Sequence, residues 1–71
     1  MVNLAKLRGR LRELGLTQSG LADHLGIANA TASQKLNGIR PITLDEAEKI
    51  AEFLSIPDVD FRAYFFAPPS A

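Results

Sequence analysis

A short run of polar, uncharged side chains near the middle of the chain has the chemistry needed to read DNA base edges. Asn and Gln amides can pair bidentately with adenine, Ser and Thr hydroxyls can donate or accept, and Ala or Thr methyl groups can touch the thymine methyl. The candidate base-reading residues are Asn29, Ala30, Thr31, Ser33 and Gln34. Ala32 and Leu36 lie at i, i+4 and would face inward on the same helix. The spacing therefore predicts a short helix with a base-reading outer side.

The residue types on this outer side favour recognition over simple solvation. Glu and Lys are better helix formers than Asn, Thr and Ser, so an ordinary solvated helix would be expected to carry more of them. The alternative interpretation is the polar side of a helix in a generic bundle.

The elements that must position this helix are a preceding helix and a tight turn. Leu21 and Leu25 share a face at i, i+4, and Gly26 follows where a left-handed residue would end the helix. Thr17 is the expected N-cap of this preceding helix, whose exposed N-terminus begins at Gln18 and offers free N–H groups to a phosphate. The stretch from Gln18 to Asn37 thus predicts a helix-turn-helix.

Three further helices are expected around this unit. Asn3 is a candidate N-cap for a first helix with a leucine stripe, and Thr43 with Glu46 forms the capping-box pattern of a fourth. Asp58 is the expected cap of a fifth helix that ends in aromatic residues. The predicted fold is all-α, a single domain over residues 1–71, with helices at about 3–14, 17–25, 28–37, 43–55 and 58–66. The fourth helix is expected to bury Leu44, Ala47, Ile50, Ala51 and Leu54.

Two glycines within these helices raise a packing question. Gly9 lies inside the first helix, where glycine costs about 1 kcal/mol relative to alanine, so we expect a neighbouring helix to approach closely there. Gly20 lies inside the second helix, and its position is compatible either with close packing or with a local weak point.

Composition limits the class of protein. At 71 residues, with 46% hydrophobic and 23% charged residues, the chain fits one small globular core. It has no cysteine and no apolar run long enough to span a bilayer, so we expect neither a thiolate metal site nor a membrane anchor. No signal-peptide pattern is visible, which makes a cytoplasmic location the expectation.

Charge is distributed unevenly along the chain. Residues 1–40 contain six Lys or Arg and two acidic residues, whereas residues 41–71 contain two Lys or Arg and six acidic residues. The first part therefore carries a net charge of +4 and the second a net charge of −4. A dipolar molecule of this kind can present its basic half to phosphate although its net charge is zero. The basic side of the first helix can be read either as a solvated face or as a source of one or two phosphate contacts.

The same residues carry a family resemblance that covers most of the chain. The pattern Leu14-Gly15-Leu16-Thr17-Gln18, then Leu21-Ala22, Leu25-Gly26-Ile27, Ala32 and Asn37-Gly38, followed by Ile50-Ala51-Glu52-Phe53-Leu54, resembles the lambda repressor and Cro helix-turn-helix family without a gap. The short length and aromatic end are similar to the small single-domain regulators of phages and mobile elements. The resemblance implies a five-helix DNA-binding domain that is not an enzyme and needs no cofactor or metal.

The resemblance also implies roles for individual residues. Gln18 would bind phosphate and brace Asn29, the first residue of the recognition helix, and the base-reading positions would be those named above. The resemblance implies contacts to the DNA backbone from Gln18, Asn37 and Arg40, and we expect Thr17 and Lys35 to contact the backbone as well.

Three positions depart from the family pattern. Ala28 stands where Ser or Thr often caps the recognition helix, which removes about 1 kcal/mol of capping. Leu11 and Leu36 occupy the positions of an arginine–glutamate pair found in some members, so we expect an apolar contact in its place. Lys35 occupies a position that is usually apolar, and we expect it to point outward towards phosphate.

The aromatic end of the chain suggests a dimer. One such domain contacts few base pairs, so useful specificity requires two copies on a pseudo-palindromic site. The candidate dimer residues are Phe61, Tyr64, Phe65 and Phe66, although Phe61 and Phe65 at i, i+4 also suit the core. The alternative is that all four close the core of a monomer.

Together these features predict a sequence-specific regulator of transcription, a homodimeric repressor on double-stranded DNA, with no small-molecule ligand. The alternative function is a protein-binding adaptor or antitoxin-like module built on the same fold. An enzyme is disfavoured because His24 is the only histidine and no nucleophile–base arrangement is available.

Overall fold

A computed structural model describes residues 1–66, which form five α-helices and no β-strand. The helices are α1 Leu4–Glu13, α2 Gln18–Leu25, α3 Asn29–Leu36, α4 Leu44–Phe53 and α5 Asp58–Phe65. The prediction of an all-α, five-helix fold is confirmed. None of the helices in this part of the chain is both long and apolar enough to cross a bilayer.

Local capping explains where three of the helices begin. Asn3 Oδ1 accepts a hydrogen bond from Lys6 N at 3.1 Å, and Thr17 Oγ1 accepts one from Gly20 N at 3.0 Å. Thr43 and Glu46 form the complete capping box at the start of α4. α3 begins at Ala28 with no side-chain cap, as its sequence predicts. Each cap satisfies an N–H that has no partner within its helix.

The start of α5 differs from the expectation. Pro57 occupies the N-cap position and no side chain caps the helix, so the prediction that Asp58 is the cap is wrong. Asp58 is instead the first helical residue, where its carboxylate lies near the positive end of the helix dipole. Proline suits this boundary because it lacks the N–H that would otherwise need a partner.

All five helices contribute to one hydrophobic core. The largest fully buried side chains are Leu7, Leu21, Ile50 and Leu54, and Leu36 and Phe65 join them from α3 and α5. Leu44 is 60% exposed, so the expectation that it belongs to the buried face of α4 is wrong. It lies in the first turn, beyond the reach of the core that Ala47, Ile50 and Ala51 enter.

The two helical glycines have opposite environments. A Cβ on Gly20 would lie 3.3 Å from both Phe53 Cζ and Thr17 Oγ1, so this glycine permits α2 to pack closely against α4. A Cβ on Gly9 would meet nothing within 4 Å. The prediction of a close helix approach is therefore wrong for Gly9, and close packing is the correct interpretation for Gly20.

Candidate nucleic-acid interface

The turn between α2 and α3 sets the relative direction of the two helices. Gly26 ends α2 with φ 71° and ψ 32°, a left-handed conformation that glycine adopts without steric cost. Ile27 N then donates to Ala22 O at 3.0 Å, which closes the turn. Leu21 and Ala22 of α2 and Ala32 and Leu36 of α3 are buried on the inner side of this pair. The sides of α3 away from these residues are left accessible.

The candidate base-reading residues occupy the accessible side of α3. Asn29 and Ala30 are exposed, and Thr31, Ser33 and Gln34 are half-buried. At 100° per residue, Ala30 and Gln34 point directly away from the buried Ala32 and Leu36, and Ser33 and Asn29 lie on one flank. Thr31 lies on the other flank, the side shared with Lys35. The centre of the accessible side therefore carries an amide and a methyl group.

Gln18 connects α2 to the first residue of α3. Its Nε2 donates to Asn29 Oδ1 at 2.9 Å and lies 3.4 Å from Asn29 O. The bond restricts the rotamer of Asn29 and uses its amide oxygen, so the Asn29 amide nitrogen remains available as a donor. Gln18 thus braces Asn29 in the way that the family resemblance implies.

Asn37 makes a different contact from the one expected. Its Nδ2 donates to Ser33 O at 2.8 Å and lies 3.3 Å from Ser33 Oγ, so the side chain folds back over the last turn of α3. Asn37 is exposed, and a donor contact from it to phosphate requires this side chain to turn away from Ser33.

Lys35 does not point outward to solvent, so that expectation is wrong. Its Nζ forms a salt bridge with Glu46 Oε1 at 2.9 Å and also donates to Pro41 O at 2.9 Å. The side chains of Lys35 and Glu46 are only 13% and 19% exposed. Because two of its three N–H donors are used within the protein and its side chain is largely buried, Lys35 joins α3 to the start of α4 and does not point towards a phosphate.

Glu46 connects this ion pair to the capping box of α4. The same oxygen, Oε1, accepts from Thr43 N at 2.9 Å and from Lys35 Nζ. Burial raises the pKa of the Glu46 carboxyl, but the Thr43 N–H bond and the bond and charge of Lys35 outweigh it, so the pKa is lowered. The carboxylate therefore holds α3 to α4 more strongly while it is ionised.

The cations of α1 separate onto two sides of that helix. Arg10 Nε donates to Leu54 O at 3.0 Å, and Lys6 Nζ lies 4.8 Å from the centroid of the Tyr64 ring. These two basic residues therefore face α4 and α5, away from the α2–α3 pair.

Arg8 and Arg12 lie on the other side of α1, beside α3. Arg8 Nη1 donates to Leu36 O at 2.6 Å and satisfies a carbonyl at the end of α3. Arg8 and Arg12 line a shallow cavity of about 270 Å³ together with Leu11, Leu16, Gln18, Leu36 and Asn37. Leu11 and Leu36 thus line the same cavity, and Leu11 packs against the core to which Leu36 belongs. The alternation of basic residues along α1 was the signal that could have placed these two arginines on the α3 side of the helix.

Thr17 and Arg40, the remaining candidate backbone contacts, are both exposed. Thr17 is exposed and its hydroxyl oxygen caps α2, which leaves the hydroxyl hydrogen able to donate. Arg40 is exposed in the segment after α3, and its guanidinium has no ion-pair partner among residues 1–66. Both residues are positioned so that a ligand can reach them.

The four candidate dimer residues have different environments. Phe65 is 3% exposed and belongs to the core, so its assignment to a dimer surface is wrong. Phe61 is half-buried with its ring centroid 4.6 Å from that of Phe65, and Tyr64 is half-buried beside Lys6. Phe66 is 55% exposed. The outer side of α5 is formed by Val59, Arg62, Ala63 and Phe66, all of which are exposed.

His24 lies beside Phe53 and Glu52 of α4. It is exposed on α2, its ring centroid lies 5.2 Å from that of Phe53, and its Nε2 lies 3.7 Å from Glu52 Oε1. Within residues 1–66, no group of three His, Cys, Asp or Glu side chains is arranged to hold a metal ion.

Comparison with known families agrees with this geometry. A family model described as helix-turn-helix matches residues 5–61, which is most of the 71-residue chain and includes all of α2, α3 and α4. No curated protein matches the chain.

Proposed function

Since this chain belongs to the lambda repressor-type helix-turn-helix family of DNA-binding transcription regulators, we propose that it is a repressor that binds a specific operator as a homodimer. The observation that supports this proposal best is the hydrogen bond from Gln18 to Asn29. It restricts an amide at the accessible start of α3 and leaves the amide nitrogen free to donate to a base. A cytoplasmic site of action follows from a DNA target.

Base recognition is assigned to the accessible side of α3 in the major groove. Asn29 and Gln34 supply the amides that form direct base hydrogen bonds, and Ser33 and Thr31 supply hydroxyls on the two flanks. Ala30 lies beside Gln34 and offers a methyl group to thymine. The acidic half of the molecule remains outside the major groove of the DNA.

Backbone contacts hold this helix in register. The N-terminus of α2 presents the Thr17 hydroxyl and free N–H groups to one phosphate, and Gln18 contributes its second amide hydrogen. The cavity next to Gln18 is lined by Arg8, Arg12 and Asn37, which contact the same DNA strand as Gln18. Arg40 contacts a phosphate beyond the end of α3. Arg8, which also holds the Leu36 carbonyl, couples backbone contact to the position of α3.

A homodimer would pair the outer sides of α5. Val59 is 88% exposed and Phe66 is 55% exposed, and with Arg62 and Ala63 they form an i, i+3, i+4, i+7 stripe. The longest dimension of the domain is 30 Å, and two half-sites lie about 34 Å apart on one face of B-DNA. Two copies side by side therefore match the spacing of a pseudo-palindromic operator. Repression would follow from exclusion of polymerase from that site.

The first test is selection of bound sequences from random duplex DNA with the intact chain. We expect a pseudo-palindromic consensus whose half-site centres are one helical turn apart, and an affinity that falls steeply with salt. A failure to enrich any sequence, or binding that is independent of salt, would contradict the proposal and favour a protein-binding module.

A second measurement assigns roles on the selected sequence. Asn29→Ala and Gln34→Ala should relax preference at single positions, each costing about 1–3 kcal/mol on the specific site and little elsewhere. Arg40→Ala should weaken binding to all sequences and reduce the salt slope by about one. Equal losses on specific and random DNA for all three variants would overturn these assignments.

A further inference from the structure

A groove between α4 and α5 lies outside the residues assigned to DNA. It has a volume of about 530 Å³ and is lined by Leu44, Glu48, Ala51, Glu52, Ile56, Asp58 and Phe61. None of these residues belongs to α2, α3 or the basic side of α1. DNA and a ligand of the groove could therefore be bound at the same time.

The groove combines an apolar floor with an acidic rim. Ala51 and Ile56 are each 8% exposed at its base, Phe61 is half-buried, and Leu44 at its edge is 60% exposed. Glu48, Glu52 and Asp58 are exposed around this floor. Leu44 therefore extends the apolar floor outward, and the contiguous apolar surface with its polar rim has the composition of a protein-binding site.

The rim charges indicate what can cover the floor. Two copies packed groove to groove about a twofold axis would bring three carboxylates of each copy into one interface, and like charges there are costly. An acidic or phosphate-bearing ligand would meet the same repulsion. A segment with apolar side chains on one side and Lys or Arg at its edges would satisfy both the floor and the rim.

We propose that the α4–α5 groove binds a basic, amphipathic helical segment of a partner protein. Apolar side chains of that segment at i and i+4 rest on Ala51, Ile56 and Phe61, and its basic residues lie against the rim carboxylates. This activity is additional to DNA binding and does not depend on it. The dipolar charge distribution serves two partners, with phosphate on one half and a basic protein segment on the other.

The test uses two designed peptides as probes. Each carries the same Leu residues at i, i+4 and i+7, with Lys at all outer positions in one peptide and Glu in the other. Titration of the labelled intact chain, followed by NMR, should shift the amides of Leu44, Ala51, Ile56 and Phe61 with the Lys peptide and not with the Glu peptide. The affinity should fall as salt is raised.

Matched variants separate the groove from general charge attraction. Glu48→Lys changes a rim residue, and Asp60→Lys makes the same change on α5 outside the lining of the groove. We expect Glu48→Lys to lower the affinity for the Lys peptide about tenfold, and Asp60→Lys to lower it less than threefold. Leu44→Ser removes the exposed apolar edge without touching the core, and it should weaken the peptide severalfold.

Three outcomes would overturn the proposal. The first is equal weakening by Glu48→Lys and Asp60→Lys. The second is that the amides of the groove residues do not shift at the highest concentration of the Lys peptide. The third is appearance of the same groove shifts in the protein alone as its concentration rises, which would assign the groove to a second copy of this chain. DNA binding measured on the same variants should be retained, so failure here is distinguishable from failure of the DNA proposal.

Discussion

The hydrogen bond between Gln18 and Asn29 is the smallest unit on which the proposed recognition depends. Asn29 is exposed at a helix start that has no side-chain cap, so its rotamer has little other support. Gln18 supplies that support across the turn with a 2.9 Å bond. The two residues are therefore expected to act as one unit when DNA is bound.

A double-mutant cycle tests this coupling. Gln18→Ala and Asn29→Ala should each lower affinity for the selected operator by roughly tenfold, and the double variant should lose clearly less than the product. The same cycle with Gln18→Ala and Arg40→Ala serves as control, because those residues are not in contact and their losses should multiply. Purely multiplicative losses in the first cycle would show that Gln18 does not act through Asn29.

Lys35 and Glu46 form a second contact between two residues, and its effect on the free energy of unfolding can be measured. The pKa of Glu46 is lowered in the folded protein, since the Thr43 N–H bond and the bond and charge of Lys35 outweigh burial. Its stabilisation is therefore fully present above the ordinary carboxyl pKa and is lost as pH falls through the lowered folded-state value. Lys35→Met removes part of this lowering.

We expect Lys35→Met to reduce the free energy of unfolding by about 1–2 kcal/mol near neutral pH, with the difference shrinking as pH falls below about 4.5. Urea unfolding of both proteins from neutral to acid pH measures it. A difference that stays constant across this range would mean that the loss comes from side-chain packing and not from the charge pair.

At the scale of elements, the glycines of α1 and α2 show how packing decides the value of one residue type. Both lie within helices, and helix propensity alone assigns both the same cost. Only Gly20 lies where a Cβ would be 3.3 Å from Phe53 Cζ and Thr17 Oγ1. α2 and α4 therefore approach each other at a glycine, whereas α1 has open space at Gly9.

The same substitution at the two sites should have different effects. Gly9→Ala should stabilise the protein by about 1 kcal/mol, which for a domain of this size raises Tm by roughly 4–8 °C. Gly20→Ala should gain less or lose stability, because Phe53 must move to admit the methyl group. Thermal unfolding followed by circular dichroism gives both values, and equal gains would contradict close packing at Gly20.

At the scale of the whole molecule, three surfaces have no residue in common, although the centroid of the Phe66 ring in the α5 stripe lies 6.0 Å from that of the Phe61 ring in the groove. The basic side carries α3, the N-terminus of α2 and two arginines of α1, the outer side of α5 carries the stripe from Val59 to Phe66, and the α4–α5 groove has an acidic rim. This separation allows substitutions to test each proposed interaction alone.

Val59→Asp tests the proposed dimer. It places a carboxylate in the exposed stripe of α5 and should raise the dimer dissociation constant at least tenfold while the fold is retained. Leu44→Asp is the control, since it changes another exposed apolar residue outside that stripe. Analytical ultracentrifugation over a range of concentrations reports the outcome. A wild-type chain that stays monomeric at the highest concentration would remove the α5 dimer from the proposal.

Local sequence patterns were sufficient to predict the five helices, the turn at Gly26 and the side of α3 that is accessible. These features depend on interactions between residues close in the chain, such as the caps at Asn3, Thr17 and Thr43 and the i, i+4 spacing of Ala32 and Leu36. The family pattern then added the contact between Gln18 and Asn29, which no local rule provides.

The partners of the long polar side chains, and the burial of individual apolar residues, depend on tertiary packing. Lys35 pairs with Glu46 eleven positions away, and Arg8 reaches Leu36 O across 28 positions. Leu44 is exposed and Phe65 is buried because the helices meet at some turns and diverge at others. Spacing along a helix specifies a direction for each side chain, but the atoms it meets there depend on where the other helices pack.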